Sequence, residues 1–349
     1  LVITIIILLM LARISIQSLT NTGLFEKAKE ARDKTQNATE NQTKILNEYE
    51  DELNKYVSGT TGENLEKLAD KVKVGDYVSY TPDELSNESL TTLKTNLNTY
   101  SGNSSSTANP AIKRDDLNWR VLDIQNGQVR LISETPTTSK IELKGYNGYN
   151  NAVKLIDDAC STLYTNSKLA NKVQNLKIED ITKYMKTQPT EDTTEYKLTN
   201  INYPKILEQE ENQTVENSVT NNKLGVSEQH DFVTTGKATS ATSTLKKTYW
   251  MNDMTANDFK DSKYYELFIN NGSNYSTYWM SSRCIDYPSG GARFNISRVH
   301  SGDVRASSLY NTNGAEYSDV NAFRPVVTLN SNVQIISGNG STDSPFNIQ

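Results

Sequence analysis

The 349-residue chain has few of the residues that most catalytic and metal sites use, with two cysteines and two histidines. Such scarcity argues against a zinc site built from several His and Cys ligands. A Ser-His-Asp enzyme would have to use His230 or His300 as its base. The sequence also lacks a phosphate-binding glycine loop and an HExxH motif, so we expect no cofactor.

Basic residues are not in excess either, because the net charge is −6 and the pI is about 5.2. Binding to phosphates needs a basic surface, so we expect no nucleic-acid partner. Hydrophobic residues make up only 35% of the chain, and neutral polar residues, including 38 asparagines, take their place. The 19 tyrosines and 3 tryptophans are still sufficient to build a core. The length allows two domains, or one large domain with appendages.

The first nineteen residues are strongly apolar. Leu1 to Ala12 contains one polar residue, Thr4, and Arg13 follows. Twelve helical residues rise about 18 Å, against roughly 30 Å of membrane hydrocarbon, so a span would need apolar residues upstream. The chain begins with Leu1 rather than Met, and we expect it to be a fragment or a product without its start. The alternative is the end of a signal peptide or signal anchor, although no small-residue cleavage site follows.

Residues 20–58 show the pattern of a long amphipathic helix that ends at Ser58-Gly59. The stretch LVITIIILLMLARISIQSLTNTGLFEKAKEARDKT resembles the type IV pilins and pilin-like proteins of Gram-positive bacteria. This resemblance implies an apolar helix half that lies in the membrane or in a filament, and a polar half that packs on a globular head. Its implied partners are the membrane and other pilins.

Strand and helix patterns follow a linker at residues 59–73. The Asn126-Gly127 pair between two β-rich runs predicts a hairpin, because both residues accept positive φ. Apolar spacing predicts a helix at Tyr149–Tyr164 that packs on the sheet, and a shorter helix at Ile178–Met185. A polar loop is expected after Tyr80, and its low-complexity part at 99–110 is expected to be mobile. The polar segment 165–247 is expected to be an insertion.

Two cysteines in an exported chain could close one disulfide between Cys160 and Cys284. The alternative is a pair of buried free thiols, and the sequence leaves both open.

The C-terminal part alternates with period two. Ala292, Phe294 and Ile296 alternate with Arg293, Asn295 and Ser297, which predicts one buried and one exposed face. The aromatic and proline residues that we assign to the core are Trp250, Trp279, Phe294, Tyr310, Phe323 and Pro325.

A bias in residue types marks the segment 285–321. It contains no Lys, Gln, Met or Trp and a single Glu, although the chain before it is rich in Lys, Glu and Gln. These five types are the ones that cannot arise when only the first two bases of an Asn codon change. The alternative explanation is that a small antiparallel sheet lacks them by chance.

Residues 278–329 carry the framework YW-x-x-SRC, S-G-x-V, LY and FRPVV-x-L. They resemble the variable region of C-type-lectin-like proteins that retroelements diversify in bacteria and their phages. The resemblance implies codon changes at adenines and a rigid scaffold that holds the varied side chains on an exposed face. The positions that we expect to face solvent and contact a ligand are Asp286, Tyr287, Ser289, Gly290, Arg293, Asn295, Ser297, His300, Asp303, Arg305, Asn311, Asn313, Tyr317, Asp319 and Asn321.

Two relatives of this scaffold imply chemistry that the sequence does not support. Trp250-Met251-Asn252-Asp253 is similar to the Trp-Asn-Asp calcium motif of sugar-binding C-type lectins, but one residue is inserted and the Glu-Pro-Asn run is missing. We therefore expect no metal. The scaffold also resembles, more distantly, the formylglycine-generating enzyme fold. Its activity does not carry over, because the two cysteines are far apart in sequence.

These observations predict an α+β protein with a long N-terminal helix and a C-type-lectin-like mixed α/β domain at 74–332. A C-terminal tail at 333–349 completes the chain. The expected function is non-enzymatic binding of a protein or glycan on another cell or phage, by a membrane-anchored extracellular head or a pilus-associated protein. The alternatives are a structural minor pilin-like filament subunit and a membrane-anchored extracellular enzyme.

Overall fold

A computed structural model describes most of the chain after residue 64. The described residues are 65–187, 195–208, 230–234, 236–246, 254–269, 277–286 and 291–349. The predicted apolar segment 1–19 and amphipathic helix 20–58 lie outside them. The described unit, Glu66–Gln349, combines a few helices with two mixed sheets, which confirms the mixed α/β class. In this part of the chain, no helix has both the length and the apolar character to cross a bilayer.

The secondary structure is dominated by short strands. The helices of the described residues are α1 (Leu68–Lys71), α2 (Asn87–Tyr100), α3 (Gly145–Tyr164), α4 (Ile178–Thr182) and α5 (Ser262–Phe268). The strands are β1 (Tyr77–Ser79), β2 (Trp119–Gln125), β3 (Gln128–Ser133), β4 (Ile141–Lys144), β5 (Ala170–Asn175), β6 (Glu195–Pro204), β7 (Lys237–Lys246), β8 (Tyr278–Asp286), β9 (Arg293–His300), β10 (Asp303–Asn311), β11 (Ser318–Phe323), β12 (Pro325–Leu329), β13 (Ile335–Ser337) and β14 (Phe346–Ile348).

The larger sheet has seven strands among the described residues, in the order β13-β14-β1-β2-β3-β12-β5. Its β2–β3 hairpin turns at Asn126 and Gly127, whose φ angles are 52° and 76°. Positive φ at both central residues matches the right-handed twist of the flanking strands. The predicted hairpin is therefore confirmed.

The smaller sheet has five strands in the described chain, in the order β10-β9-β8-β11-β4. β8, β9 and β10 form an antiparallel meander, while β11 runs parallel to β8 and antiparallel to β4. β11 passes directly into β12 of the larger sheet through Arg324. The two sheets are thus joined by one continuous extended segment.

Helix α3 fills the core beside the smaller sheet and confirms the predicted helix at 149–164. Its apolar residues, such as Leu155, Ile156 and Leu163, are fully buried. The ring of Tyr149 on this helix meets Phe294 of β9 edge to face, with centroids 5.6 Å apart. The predicted core residues within the described chain are all buried: Trp279, Phe294, Tyr310, Phe323 and Pro325. Trp250 lies outside it.

The prediction of a polar loop after Tyr80 is wrong. Helix α2 begins after Ser86, whose Oγ accepts a hydrogen bond from the backbone N–H of Ser89, and it buries Leu93 and Leu97. The low-complexity part is also held in place. Asn109 is fully buried, and its side chain pairs with the backbone of Glu142 through an N–H···Oδ1 bond of 2.8 Å and an Nδ2–H···O bond of 3.1 Å.

Three expected boundaries also change. Residues 333–349 are not a tail, because β13 and β14 extend the larger sheet beside β1. The expected linker already contributes buried Leu68 from α1 to the core. Within the expected insertion, β5 and α4 belong to the domain, whereas β6 and β7 pair with each other as a separate two-stranded sheet. Local composition does not predict that β14 pairs with β1 or that β5 pairs with β12, because the paired strands lie far apart in the chain.

Both cysteines are free and buried, so the structure contains no disulfide between them. Cys160 lies on α3, and this helix contacts the face of the smaller sheet that carries Phe294. Cys284 lies opposite Asn295 and points to the other face. The sheet therefore separates the two thiols. Burial raises the pKa of Cys284 to about 12 and that of Cys160 well above its usual value, so both stay protonated.

Arg324 connects the two sheets through a fully buried guanidinium group. Its Nε and Nη2 donate to the carbonyl oxygen of Ser133 at 3.1 and 3.0 Å, and Nη2 also donates to that of Glu134 at 2.9 Å. Nη1 lies 3.4 Å from both the carbonyl oxygen of Phe268 and the Tyr278 hydroxyl. Carbonyl dipoles and the Tyr278 ring, with its centroid 5.4 Å away, thus surround the charge.

The Arg324→Met substitution should lower the free energy of unfolding by at least about 3 kcal/mol, because several buried carbonyl groups lose their donors. Urea denaturation measures the change. The matched control is Arg293→Met, since Arg293 is exposed, and this variant should lose no more than about 0.5 kcal/mol. Equal losses in the two variants would contradict this role for Arg324.

A buried ion cluster links the β2–β3 hairpin to α4. Arg130 donates to Asp123 at 2.7 Å and to Asp180 at 2.6 Å, and all three side chains are buried. Lys183 and the Tyr184 hydroxyl also contact Asp123. Burial favours a raised pKa for Asp123, but the hydrogen bonds and charge of Arg130 outweigh it and lower the pKa to about 2.

Because the folded pKa is depressed, the stability from Asp123 is complete above its unfolded pKa of about 3.9. It is lost as the pH falls towards the folded pKa of about 2. The Asp123→Asn variant should therefore show a shallower loss of unfolding free energy between these two pH values, measured by urea denaturation. The exposed Thr91→Ala control, which removes no titratable group, should keep the original slope. An unchanged slope in Asp123→Asn would rule out this contribution.

Candidate ligand-binding face

One row of polar residues crosses the end of the smaller sheet. Asp286 at the end of β8 pairs with Arg293 at the start of β9, and Arg293 pairs with Asn311 at the end of β10. Directly opposed residues of antiparallel strands project to the same face. The alternation of the three strands therefore places these side chains side by side.

The chain after β10 adds two further residues to this row. It turns at Asn313 and Gly314, and the N–H of Tyr317 bonds back to the carbonyl oxygen of Leu309 at 2.9 Å. The Nδ2 of Asn311 lies 3.3 Å from the Tyr317 hydroxyl. Arg293, Asn313 and Tyr317 are exposed, Tyr317 by 46%, whereas Asn311 is half-buried and Asp286 is buried. We call this set the loop-end group: Asp286, Arg293, Asn311, Asn313 and Tyr317.

A second set lies at the other end of the β9–β10 hairpin. The hairpin turns at Ser301 and Gly302, whose φ angles are 51° and 86°. Beside the turn, His300 pairs with Asp303, and the exposed Arg305 donates two hydrogen bonds to Asp303 at 2.9 and 2.5 Å. We call His300, Asp303 and Arg305 the turn-end group.

The two groups do not form one surface. Arg293 and His300 are seven residues apart on β9, which is about 23 Å at roughly 3.3 Å per residue. An odd separation along a strand also places their side chains on opposite faces. A single small ligand cannot contact both groups, so the predicted positions divide into two separate candidates.

Asp319 connects β11 to the turn-end side of the hairpin. Its Oδ2 accepts hydrogen bonds from Arg298 Nη1 and from Ser307 Oγ, both at 2.5 Å. Sequence reasoning missed Arg298 and Ser307 because the alternation of β9 assigned exposure to the face of Arg293. Arg298 lies two positions before His300 on β9, so the two side chains project from the same face of the strand. This spacing is the signal in the sequence that could have identified Arg298.

Five of the predicted solvent-facing positions are buried, which corrects that expectation. Their exposed fractions are 2% for Asn295 and Ser297, 5% for Asp303 and Asn321, and 7% for Asp286. The period-two interpretation assumed that one face of the sheet meets water. In the structure, both faces of β9 are covered: Phe294 packs against α3, and Val299 packs in a cluster with Phe259. Asn295 Oδ1 and Asn321 Nδ2 have no hydrogen-bond partner within the described chain.

Some predicted positions lie outside the described residues. Tyr287, Ser289 and Gly290 are among them. Trp250, Asn252 and Asp253 of the calcium-like motif are also outside.

Comparisons with protein-family models, with curated proteins and with solved structures find no match to this chain.

The same Asn→Tyr change should lower the free energy of unfolding much less at an exposed position of this region than at a buried one. Asn313→Tyr should cost no more than about 1 kcal/mol, because Asn313 is exposed and loses only the hydrogen bond that its Oδ1 accepts from the Ala315 N–H at 3.0 Å. Asn295→Tyr and Asn321→Tyr should each cost about 1–3 kcal/mol, because the ring must enter a packed interior. Urea denaturation measures all three. A neutral Asn295→Tyr would show that this site tolerates variation after all.

Proposed function

We propose that this chain is a cell-surface or pilus-associated protein that binds a protein or glycan on another cell or phage through the loop-end group. Recognition is non-covalent and non-enzymatic. The scaffold is a C-type-lectin-like domain of the kind that retroelements diversify, and the pilin-like N-terminal helix anchors it in the membrane or among other pilins.

The observation that carries this proposal is the contrast between exposed side chains and a buried framework at one end of the smaller sheet. Arg293, Asn313 and Tyr317 are exposed, while their neighbours Ala292, Phe294 and Tyr310 are buried. Exposed substitutions away from special features change stability little, and core substitutions cost several kcal/mol. Such a framework can carry many side-chain sets. Arg and Tyr are also frequent in the energetic centres of interfaces.

The burial pattern also sharpens the proposal. The exposed or half-exposed members of the loop-end group can change, and so alter a contact surface, at little cost in stability. Asn295, Ser297 and Asn321 lie beneath the surface and constrain which side chains the framework accepts.

Sequencing of the encoding DNA in a population tests the diversification. We expect a near-copy of codons 285–321 beside a reverse transcriptase gene, with differences at adenines. Substitutions should accumulate at codons 293, 311, 313 and 317, and the matched strand codons 119–133 should stay constant. An identical sequence in all copies, or equal variation in both stretches, would contradict diversification.

A pair of displayed libraries tests the binding face. One library randomises Arg293, Asn311, Asn313 and Tyr317, and the control library randomises four exposed positions on one side of α2: Glu88, Thr91, Thr95 and Asn98. Selection against hen lysozyme, as an arbitrary protein probe, should yield binders from the first library only. Equal yields, or no binders from either, would argue against a recognition surface at the loop-end group.

A further inference from the structure

Several asparagines of the described chain are followed directly by glycine, a pair that can form a cyclic imide. In this reaction the backbone nitrogen of the glycine attacks the side-chain carbonyl carbon of the asparagine. Glycine permits the approach because it has no side chain. The surroundings of each pair therefore decide which one reacts in the folded protein. The described pairs are Asn126-Gly127, Asn147-Gly148, Asn313-Gly314 and Asn339-Gly340, and Asn271-Gly272 lies outside the described residues.

Packing and hydrogen bonds protect two of these pairs. Asn147-Gly148 lies in the first turn of α3, and Gly148 is buried beside the carbonyl oxygen of Ser101. Gly340 is also buried, and its N–H donates to the carbonyl oxygen of Ser344 at 3.0 Å. A buried or hydrogen-bonded N–H must first be released by local opening, so both nitrogens are poor nucleophiles in the folded state.

The pair at Asn313 is exposed but held by two hydrogen bonds. The Gly314 N–H donates to the carbonyl oxygen of Asn311 at 2.9 Å. The Oδ1 of Asn313 accepts a bond from the Ala315 N–H at 3.0 Å. These bonds restrain both the attacking nitrogen and the amide that it must reach, so this pair is partly protected.

The pair at the β2–β3 turn has none of these restraints. Asn126 and Gly127 are both exposed, and their φ angles are 52° and 76°. Neither the Asn126 side chain nor the Gly127 N–H forms a hydrogen bond within the described chain. The space that a Cβ of Gly127 would occupy has no neighbour within 4 Å. Only the turn itself limits the rotation that brings the two groups together.

We infer that Asn126 is a site of spontaneous deamidation, and that it reacts faster than the other described Asn-Gly pairs. Water or hydroxide removes the proton of the Gly127 amide, and the nitrogen forms a bond to Cγ of Asn126. The Cγ–Nδ2 bond breaks, and Nδ2 leaves as ammonia after taking a proton from water. Water then opens the cyclic imide at either carbonyl carbon, which leaves aspartate or β-aspartate at position 126. The reaction transfers no electrons and needs no reagent except water.

The product changes both the charge and the shape of the hairpin. Either product adds a negative charge, and β-aspartate also places a side-chain carbon in the backbone, so the loop becomes one atom longer. Two-residue loops match the strand twist only in particular turn geometries. The buried pair of Asp123 and Arg130 lies on the two strands of this hairpin. The inference does not rest on the proposed function, because the hairpin lies outside the segment 285–321.

Peptide mapping by mass spectrometry tests the inference on the folded full chain, incubated at mildly alkaline pH and sampled over time. Asn126 should convert at least about tenfold faster than Asn147 and Asn339, whose glycine nitrogens depend on local opening. It should also convert before Asn313. The rate should rise with pH, because the attacking nitrogen must lose its proton. Enzymatic methylation of β-aspartyl groups measures the share of that product.

Two matched variants and a denatured sample supply the controls. Gly127→Asn keeps a residue that tolerates positive φ and should slow conversion at Asn126 alone, whereas Gly314→Asn should slow it at Asn313 alone. Thermal unfolding checks that both variants fold. In concentrated urea the described pairs should convert at similar rates, since packing and hydrogen bonds are lost.

Three results would overturn the inference. They are an Asn126 that stays intact in the folded chain, conversion at another described pair that is as fast or faster, and the same order of rates in urea. The last result would show that the neighbouring sequence, rather than the fold, sets the order.

Discussion

The structure depends on the buried guanidinium group of Arg324 at the junction of its two larger sheets. Arg324 lies between β11 and β12. Its guanidinium group donates hydrogen bonds to the carbonyl oxygens of Ser133, Glu134 and Phe268. These groups come from the hairpin that precedes β4 and from the end of α5. Its backbone N–H also bonds to the side chain of Asn175, at 2.6 Å. A charge in the interior is tolerated only when its donors are satisfied, so these segments must all assemble around it.

This junction fixes the position of the smaller sheet, whose strand ends carry the loop-end group. β11 is continuous with β12 of the larger sheet, and Asp319 on β11 connects to Arg298 of the β9–β10 hairpin. The far end of that hairpin, together with the end of β8, is where Arg293 and Tyr317 reach solvent. Side chains that project from regular, packed strands are held more precisely than side chains on long loops, which favours recognition at low entropic cost.

The sequence by itself determined the elements whose signals are local. The Asn126-Gly127 hairpin, helix α3 and the buried Trp279, Phe294 and Tyr310 followed from turn chemistry, apolar spacing and alternation. The helix α2 also had a local signal, its capping Ser86 and spaced leucines, which the abundance of polar residues concealed.

Only the tertiary structure decided which polar residues of β9 to β11 face water, and how they divide into groups. Alternation distinguishes two faces of a strand but does not say whether the second face is covered, and Asn295 is buried because remote segments cover it. The pairing of β1 with β14 and the contacts of Arg324 with Ser133 and Glu134 likewise join residues more than a hundred positions apart. Such contacts depend on how the whole chain packs, and no short stretch of sequence contains them.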